Sequence, residues 1–426
     1  MSVRELIALL NDAPVGRVLR DDRGRLKFVY EDSWRGAADA YPLSLSMPLG
    51  AKEHSHGVIE SFLWGLLPDN ARVLENWGRQ FQVSSRNAFA LLSHVGEDCA
   101  GAVQFVRGDR LETARSKGRN AVEWLDTKDI AERLRILRAD PSASRLQQDH
   151  GHFSLAGAQP KTALLLENGR WGVPSGRIPT THILKPAAGH LAGFIENEHL
   201  CLQLAGALGF PVASSHLMNF EGELAIALER FDRIRTAKGW TRIHQEDFCQ
   251  ALGKPPALKY QSDGGPGAKE IVDLVRTHSN VAAVDVVVFV DALALNWLIA
   301  GTDGHAKNFG LLIAPGRVRL APLYDIASIL PYPQFDLKRA KLAMKIADRY
   351  RIQAIGRSEW LKIASQLQLA SGALLERIVN MAEAIPELAT EIGNVLVRSG
   401  LSSPLIDRLV TRLAARARGC LASLTR

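Results

Sequence analysis

Three side chains that carry oxygen atoms follow one another in the second half of the sequence. Asp303 and Asn308 stand five residues apart in T-D-G-H-A-K-N-F-G (302–310), and Asp325 follows 17 residues later in L-Y-D-I-A-S (323–328). A carboxylate can orient and deprotonate a hydroxyl group, while an amide oxygen and a second carboxylate can hold magnesium. The set therefore predicts transfer of a phosphoryl group to a hydroxyl. For Asp303 or Asn308 alone, a role as a turn former is the alternative.

The spacing of these side chains matches that of protein kinases. The kinase catalytic loop reads H-R-D-x-x-x-x-N, so Asp303 and Asn308 take the positions of its Asp and Asn, and Asp325 falls where the aspartate of D-F-G binds metal. Two departures stand out: Gly301-Thr302 replaces His-Arg, and Ile-Ala follows Asp325 in place of Phe-Gly. Rules for the activation loops of ordinary kinases are therefore unsafe to transfer.

A second motif, S-L-A-G-A-Q-P-K (154–161), resembles an anion-binding loop before an apolar strand. Gly157 lies between two alanines and lets backbone N–H groups approach an anion closely, and Lys161 adds charge. Pro160 has no N–H to donate. The segment matches neither G-x-x-x-x-G-K-S/T nor G-x-G-x-x-G, so a tight turn before a strand is the alternative.

A third motif, T-H-I-L-K-P (181–186), predicts a short strand that ends in Lys185, 24 residues after Lys161. A lysine directed inward over a phosphate loop would neutralise nucleotide phosphates. The alternative is an edge-strand lysine that faces water. Glu198, in the helix that begins near Ile195, is a candidate partner for Lys185, unless it only faces its own helix dipole.

The elements that must position these motifs belong to a multidomain globular protein. The chain has 426 residues, 46% of them hydrophobic and 23% charged, which excludes wholesale disorder and favours two or three domains. The longest apolar stretch, residues 281–300, carries two aspartates and predicts a buried helix. No signal core opens the sequence, and the four cysteines form no C-x-x-C pair. We therefore expect a cytoplasmic protein with reduced thiols.

The order of the predicted elements suggests a small α+β domain, a β-rich lobe and a helical lobe. V-G-R-V-L (15–19) and L-K-F-V-Y (26–30) flank the turn D-D-R-G (21–24) and predict a hairpin. Helices are predicted near Val58, from Ala88 to Leu92 and around Ile130, and a strand is predicted after Gly101. The chain alternates strands with one helix from residue 152 to about 235 and is mostly helical from about 244 onward.

The net charge of +7 is concentrated near the end of the sequence. Residues 396–426 hold six arginines and one acid, and Arg408, Arg412 and Arg416 recur at i, i+4 on one helix face. Such a strip could contact nucleic acid phosphates or an acidic protein surface. A solvated helix face is the alternative.

Seven segments together resemble the HipA-type serine/threonine kinases, the toxins of type II toxin–antitoxin modules. In family order they are S-L-A-G-A-Q-P-K (154–161), H-I-L-K-P (182–186), E-N-E (196–198), E-R-F-D-R (229–233), H-Q-E-D-F-C-Q-A-L-G (244–253), T-D-G-H-A-K-N-F-G (302–310) and L-Y-D-I-A-S (323–328). The resemblance covers about residues 150 to 390, and the first hundred residues also look like the family's N-terminal subdomain.

The resemblance implies an α+β class and a two-lobed protein-kinase-like fold, with an added N-terminal α+β subdomain and a mostly helical C-terminal lobe. It implies four segments: a HipA-type N-terminal subdomain (1–108), a linker or helical connection (109–150), a β-rich nucleotide-binding kinase lobe (151–235) and a helical catalytic kinase lobe (236–426).

The resemblance also implies a role for each site residue. Asp303 is expected to be the catalytic base, with Asn308 and Asp325 as magnesium ligands and Ser154 as the autophosphorylated serine. The expected nucleotide-binding residues are Ala156, Gly157, Ala158, Gln159, Lys161, Lys185, Glu229, Arg230, Phe231, His305, Lys307, Asn308, Tyr324 and Asp325. Of these, residues 229–231 are expected to form the hinge whose backbone meets adenine.

The function that the resemblance implies is an ATP- and Mg²⁺-dependent protein kinase that acts as a growth-arresting toxin linked to persistence. The expected substrate is a translation protein, such as glutamyl-tRNA synthetase or another aminoacyl-tRNA synthetase. A HipB-like helix-turn-helix antitoxin is the expected partner, and operator DNA is contacted mainly through it. The alternatives are a kinase for a small molecule or lipid on a related fold, and a non-catalytic DNA-binding co-regulator.

Overall fold

The structure is a computed structural model that describes residues 4–111, 121–143, 154–188, 191–237, 239–401 and 403–425. The chain forms two compact units. The first unit comprises Met1–Ala188, Met218–Ala257 and Leu311–Val318, and the second comprises Gly189–Leu217, Leu258–Gly310 and Arg319–Arg426.

The first unit begins with a five-stranded antiparallel sheet of order β4-β3-β2-β1-β5. Its strands are β1 (Glu5–Leu10), β2 (Ala13–Arg20), β3 (Leu26–Tyr30), β4 (Glu53–His54) and β5 (Val103–Val106). The predicted hairpin of β2 and β3 is confirmed, and its turn contains Gly24 at φ +81°. The prediction omitted β1, whose near-continuous burial gives no alternating pattern in the sequence.

Four helices pack with this sheet: α1 (Asp32–Arg35), α2 (His56–Gly65), α3 (Ala71–Phe81) and α4 (Ala88–Val95). The predicted helices near Val58 and Ala88 are thereby confirmed. The side chains of Asn70 and Asn87 cap α3 and α4 by accepting backbone N–H bonds. The apolar faces of the helices and the inner face of the sheet form one core, which includes Phe28, Phe62 and Phe89.

The second sheet of this unit has six strands in the order β10-β11-β9-β7-β8-β6. They are β6 (Val122–Leu125), β7 (Thr162–Glu167), β8 (Arg170–Pro174), β9 (His182–Pro186), β10 (Ser215–Phe220) and β11 (Glu223–Glu229). Helix α5 (Thr127–Ala139) covers the sheet through Ile130 and Leu134. β6 and α5 fall within the predicted connection 109–150, of which residues 112–120 and 144–150 lie outside the described part.

Short elements complete the β structure. A hairpin joins β12 (Arg233–Thr236) to β13 (Gly239–Arg242), and a three-stranded sheet contains β14 (His244–Asp247), β15 (Gly310–Ala314) and β16 (Arg317–Leu320). Helix α7 (Phe248–Ala251) follows β14 and starts at a capping box formed by Asp247 and Gln250.

The second unit is mostly helical. Its helices are α6 (Phe194–Ala207), α8 (Ala268–His278), α9 (Ala282–Leu298), α10 (Arg357–Gln366), α11 (Ser371–Arg398) and α12 (Pro404–Leu424), and its hairpin joins β17 (Lys341–Ile346) to β18 (Arg349–Arg351). Helix α9 confirms the predicted buried helix. Its two acids are bonded, since Asp285 accepts from Ser279 Oγ and Leu320 N, and Asp291 accepts from Arg377 Nε at 2.7 Å. Among the residues that the structure describes, no helix combines the length and the apolar character needed to cross a membrane.

Candidate active site

The loop that carries Asp303 begins where α9 ends. Gly301 N donates to Asn296 O at 2.7 Å, and the side chain of Asn296 then packs against two glycines of the loop. A Cβ on Gly301 would lie 2.5 Å from Asn296 Oδ1, and one on Gly304 would lie 2.6 Å from Asn296 Nδ2. Because any side chain at these two positions would displace Asn296, the loop requires both glycines.

Asp303 and Asn308 are brought together by this loop. Asn308 Nδ2 donates to the backbone oxygen of Asp303 at 2.7 Å, and His305 N donates to the same oxygen at 2.7 Å. A short 3₁₀ turn, Ala306–Asn308, closes the segment. The side chain of Asp303 is 69% exposed, whereas Asn308 is buried. The loop thus holds a carboxylate at the surface on a backbone that is fixed beneath it.

Asp325 shares a cavity with Asn308. The cavity is lined by Ala292, Leu295, Asn296, Gly304, Asn308, Phe309, Leu323, Tyr324, Asp325 and Ile326. Asp325 has φ +57°, a conformation that Asp and Asn tolerate better than most residues. Strand β16 ends at Leu320, and the segment before Asp325 then forms an isolated bridge between Leu323 and Val212.

The donor atoms at this cavity suit magnesium. Because Asn308 Nδ2 donates to Asp303, the amide oxygen of Asn308 is the atom that can meet a metal, and Asp325 supplies a carboxylate. No group of three or more His, Cys, Asp or Glu suited to a metal occurs among the described residues. Mg²⁺ does not need such a group, since it commonly takes one or two protein oxygens and completes its shell with water and phosphate.

The remaining predicted residues of the second unit lie in the same loop or beside it. Burial lowers the pKa of His305, and the nearby Asp303 only partly opposes that effect. Lys307 is buried, and its backbone oxygen accepts a bond of 2.7 Å from Tyr324 Oη. Tyr324 therefore ties the segment before Asp325 to the loop that carries Asp303.

Tyr260 is a residue that the sequence prediction missed. Its hydroxyl donates to Asp303 Oδ1, and its ring makes an edge contact with His305 at 4.9 Å between centroids. The segment around it, K-Y-Q-S-D-G-G-P-G (259–267), is rich in glycine and polar residues. That composition could have indicated a loop, but nothing in it points to a residue more than 40 positions away.

In the first unit, the loop 154–161 wraps around Lys161. Lys161 Nζ donates to Ala156 O at 2.7 Å, and Gly157, at φ +101°, comes so close that a Cβ there would lie 2.5 Å from Lys161 Nζ. Gly157, Gln159 and Lys161 also line a cavity, whose other wall includes Trp77. Ala158 lies exposed at the tip.

Ser154 is fully buried at the start of this loop. Its Oγ donates to Leu66 O at 2.7 Å, and its backbone N–H donates to Asp98 O at 2.9 Å. The loop is also bonded through Gly157 O, which accepts from Asp69 N at 3.2 Å. Residues of the N-terminal hundred thus hold the loop at three points.

Lys185 lies on β9, between β7 and β11, and is buried. It pairs in register with Ile226 on β11. The alternative of an edge-strand lysine that faces water is therefore wrong.

The predicted hinge begins at the end of β11. Glu229 is exposed and pairs with His182, and Phe231 is half-buried. Arg230, by contrast, is buried, with its backbone N–H bonded to Thr181 O at 2.9 Å. Its guanidinium donates to Cys99 O and pairs with Asp232. The side chain of Arg230 is therefore committed to protein contacts.

Arg230 belongs to a buried ionic network that also contains Asp98, Asp232, Arg233 and Arg242. Burial alone would raise the pKa of Asp98, but Arg233, Arg230 and Arg242 more than offset burial and hold that pKa far below its usual range. Burial and the neighbouring Arg230 lower the pKa of Arg233 to about 10. The network joins residue 98 of the N-terminal sheet region to the β11–β13 segment.

The basic helix face near the end of the chain also makes contacts within the second unit. Arg408 donates to Pro331 O, Arg412 to Leu330 O and Arg416 to Trp297 O, all at 3.1 to 3.2 Å. The three guanidinium groups thus bond to backbone carbonyls of the second unit. Arg408 and Arg412 are exposed and Arg416 is half-buried, so a strip for nucleic acid or an acidic protein surface and a solvated face both stay predictions.

Family models and known proteins match both the N-terminal and the C-terminal part of this chain. A family model described as the HipA-like C-terminal domain matches residues 153–389, and one described as the HipA N-terminal domain matches residues 6–106. A Sinorhizobium fredii protein named as a kinase, Y4mE, is 34% identical over 420 residues, which cover 98% of this chain and 99% of the relative. The serine/threonine-protein kinase toxin HipA of Shewanella oneidensis is 30% identical over 379 residues, or 85% of this chain and 83% of the relative.

A solved structure resembles the whole chain. It is HipA of Shewanella oneidensis MR-1 in a complex with HipB and its operator DNA, with a TM-score of 0.83 and 25% identity. The match covers 98% of this chain and 97% of that one. It confirms the predicted fold class.

Proposed function

The chain belongs to the HipA family of serine/threonine-protein kinase toxins, and from that premise we propose that it transfers the γ-phosphoryl group of ATP to a serine or threonine of a translation protein. The observation that carries this proposal is the geometry of the catalytic loop. An exposed carboxylate, Asp303, stands on a backbone held by Asn308, and Asn308 shares a cavity with Asp325.

Each side chain of this set has a separate task. Asp303 orients the acceptor hydroxyl and takes its proton, and its exposure lets a protein substrate reach it. Asn308 and Asp325 would hold Mg²⁺, which when bound neutralises charge on the ATP phosphates. His305 and Lys307 are proposed to contact the phosphates, and Tyr324 holds the backbone of Lys307 in place.

In the first unit, the proposed nucleotide contacts are made by a loop, a lysine and a hinge. The loop residues are Ala156, Gly157, Ala158, Gln159 and Lys161. Lys185 is buried on a central strand, so its charge is poorly hydrated and well suited to pair with phosphate. At the hinge, the backbone of Glu229 and Phe231 is proposed to meet adenine, whereas Arg230 supports the hinge through the ionic network.

The proposed substrate is an aminoacyl-tRNA synthetase such as glutamyl-tRNA synthetase, and the proposed site of action is the cytoplasm, where translation takes place. The proposed partner is a HipB-like antitoxin, with which the chain would occupy operator DNA. The structural relative that contains HipA, HipB and operator DNA supports this assignment, because the fold agrees along 98% of the chain.

Autophosphorylation of Ser154 is proposed as the means of silencing the enzyme. Ser154 is buried and bonded to Leu66 O, so its hydroxyl must leave this position before it can accept a phosphoryl group. The phosphate then adds nearly two negative charges to a loop that would receive ATP phosphates. Repulsion and lost packing would keep the modified loop out of its place.

The experiment is incubation of the purified protein with ATP and Mg²⁺, with and without glutamyl-tRNA synthetase, followed by mass spectrometry. We expect phosphate on the synthetase and on Ser154. Asp303→Asn should lower both by roughly a thousandfold or more, to a residual rate that single-turnover assays detect, without changing the melting temperature. Asp273→Asn is the matched control, because the side chain of Asp273 forms an exposed pair with Lys269 on α8. This variant should transfer phosphate at the normal rate.

Two results would contradict the proposal. Full phosphate transfer by Asp303→Asn would remove Asp303 from the mechanism. Label that enters a small molecule or lipid fraction and no protein would favour the alternative kinase class, and DNA binding without any transfer would favour a co-regulator.

A further inference from the structure

We propose that Tyr260 is a positioning residue for the catalytic carboxylate: it fixes Asp303 in the rotamer that directs Oδ2 at the acceptor hydroxyl. This inference rests on the proposed function, in which Asp303 handles that hydroxyl. The residue comes from a segment before α8, 43 positions earlier in the chain. The sequence motifs of the catalytic loop do not include it.

The first observation is the hydrogen bond itself. Tyr260 Oη donates to Asp303 Oδ1. The side chain of Asp303 is 69% exposed, and His305 Nε2 is 3.9 Å from the same oxygen. An exposed carboxylate that lacks a short-range anchor samples several χ angles. The Tyr260 hydroxyl, by donating to Oδ1, selects one of these rotamers and leaves Oδ2 to accept the proton of the acceptor hydroxyl.

The second observation is that Tyr260 is itself held by the catalytic loop. Its ring meets His305 edge to face at 4.9 Å, and His305 is only 4% exposed. The backbone beside it is tied as well, since Ala306 N donates to Lys259 O at 3.2 Å. A hydroxyl whose ring and backbone are both anchored can impose its direction on Asp303.

The third observation is that the segment is braced on its far side. Gln261 Oε1 accepts from Lys345 N at 2.7 Å, so the residue after Tyr260 is bonded to β17. The segment is therefore anchored at three consecutive residues, 259 to 261, and Tyr260 is bonded to the carboxylate of Asp303. A purely structural loop would not need a hydroxyl at that point.

The test is Tyr260→Phe, which keeps the ring contact with His305 and removes only the hydroxyl. We expect kcat for transfer to glutamyl-tRNA synthetase and to Ser154 to fall by about tenfold, as for the loss of one hydrogen bond to a charged group. The KM for ATP should stay within about twofold, because Tyr260→Phe keeps the ring contact with His305, a proposed phosphate contact. Hydrolysis of ATP by water should fall less than transfer to protein, since water needs less orientation.

Two further variants separate positioning from structure. Tyr350→Phe makes the same chemical change on β18 of the second unit and should transfer phosphate normally. In an Asp303→Ala background, where the carboxylate is absent, Tyr260→Phe should cause no additional loss in single-turnover transfer. A structural role would instead lower the melting temperature and reduce transfer in both backgrounds alike.

The outcomes distinguish this inference from the proposed function. If Asp303→Asn is inactive but Tyr260→Phe transfers at the normal kcat, the inference is overturned and the proposed function stands. An equal loss in the Asp303→Ala background also overturns the inference. If the unmodified protein transfers phosphate to no acceptor, or if Asp303→Asn remains fully active, the proposed function fails first and the inference fails with it.

Discussion

The proposed catalytic loop (302–310) and the proposed nucleotide loop (154–161) are both short polar loops, but they are held in different ways. In loop 302–310, Asp303, His305 and Asn308 bond to one another, and the carboxylate of Asp303 is exposed. In the nucleotide loop, Ser154 is fully buried and bonds to Leu66 and Asp98, which lie far away in sequence. The catalytic loop is thus built mainly from its own residues, whereas the nucleotide loop depends on the N-terminal hundred residues.

This difference explains which parts of the site the sequence could predict. Asp303 and Asn308 could be predicted to lie close together because they are five residues apart in one loop, and Asn308 shares a cavity with Asp325. The burial of Ser154 and the ionic network around Arg230 could not be predicted from the sequence, because their partners are distant in sequence and come close only in the folded chain. For the same reason Tyr260 was missed, although its bond to Asp303 is the contact that reaches the proposed base.

The fold was predictable to a similar degree. Hairpin β2–β3 and helix α9 follow from local turn residues and continuous apolar character, and both are confirmed. Local sequence does not predict β1 or β6. Strand β1 is buried along nearly its whole length, and β6 is a strand because it pairs with β8. A period-two pattern appears only where one face of a strand meets water.

The largest expected effect comes from breaking the catalytic set while its backbone is kept. Asp325→Asn should reduce phosphate transfer by about a thousandfold, because the metal-competent carboxylate is lost. Asn tolerates the positive φ of this position as well as Asp does, so the melting temperature should not change. Steady-state transfer assays and thermal denaturation measure the two effects. A large loss of stability would show that Asp325 supports the fold instead.

The next effect is on stability, and it concerns the anchor of the nucleotide loop. Asp98→Asn removes one of two carboxylates that face Arg230, Arg233 and Arg242, and it should cost about 3–5 kcal/mol of unfolding free energy. The backbone oxygen of residue 98 accepts from Ser154 N. A shift of this residue in the variant would therefore move the nucleotide loop, and the KM for ATP should rise as well. Chemical denaturation and ATP titration test this, with Asp273→Asn as the control. Unchanged stability would mean that the network contributes nothing net.

A third prediction concerns pH and the attachment of residues 44–46 to β14. Burial raises the pKa of Glu246 to about 8, although Leu45 N and Ser44 Oγ donate to it. An unfolded glutamate loses its proton near its ordinary pKa, so the folded chain binds more protons than the unfolded chain between those two values. The free energy of unfolding should therefore fall as pH rises, by roughly 3 kcal/mol between about pH 5 and about pH 7.5.

Glu246→Gln should remove this dependence, because Gln stays neutral while its amide can bond to the same two partners. The measurement is the midpoint of urea denaturation as a function of pH for both proteins. Equal slopes in the two proteins would show that Glu246 is ionised in the fold and that other groups determine the pH dependence.

The smallest effect isolates the close packing of the nucleotide loop. Gly157→Ala places a Cβ 2.5 Å from Lys161 Nζ, so the lysine must leave Ala156 O, and we expect the KM for ATP to rise by about thirtyfold. Positive φ alone also strains an alanine, and Gly222→Ala measures that contribution, since Gly222 has φ +89° with no heavy atom within 4 Å of its Cβ position. Both variants should lose a similar amount of stability, about 1 kcal/mol. Only the Gly157 variant should lose ATP affinity, because the new Cβ there displaces Lys161, whereas the new Cβ at residue 222 displaces no side chain. If both variants bind ATP normally, the loop does not hold the nucleotide through Lys161, and the contrast between the two loops would rest on Ser154 alone.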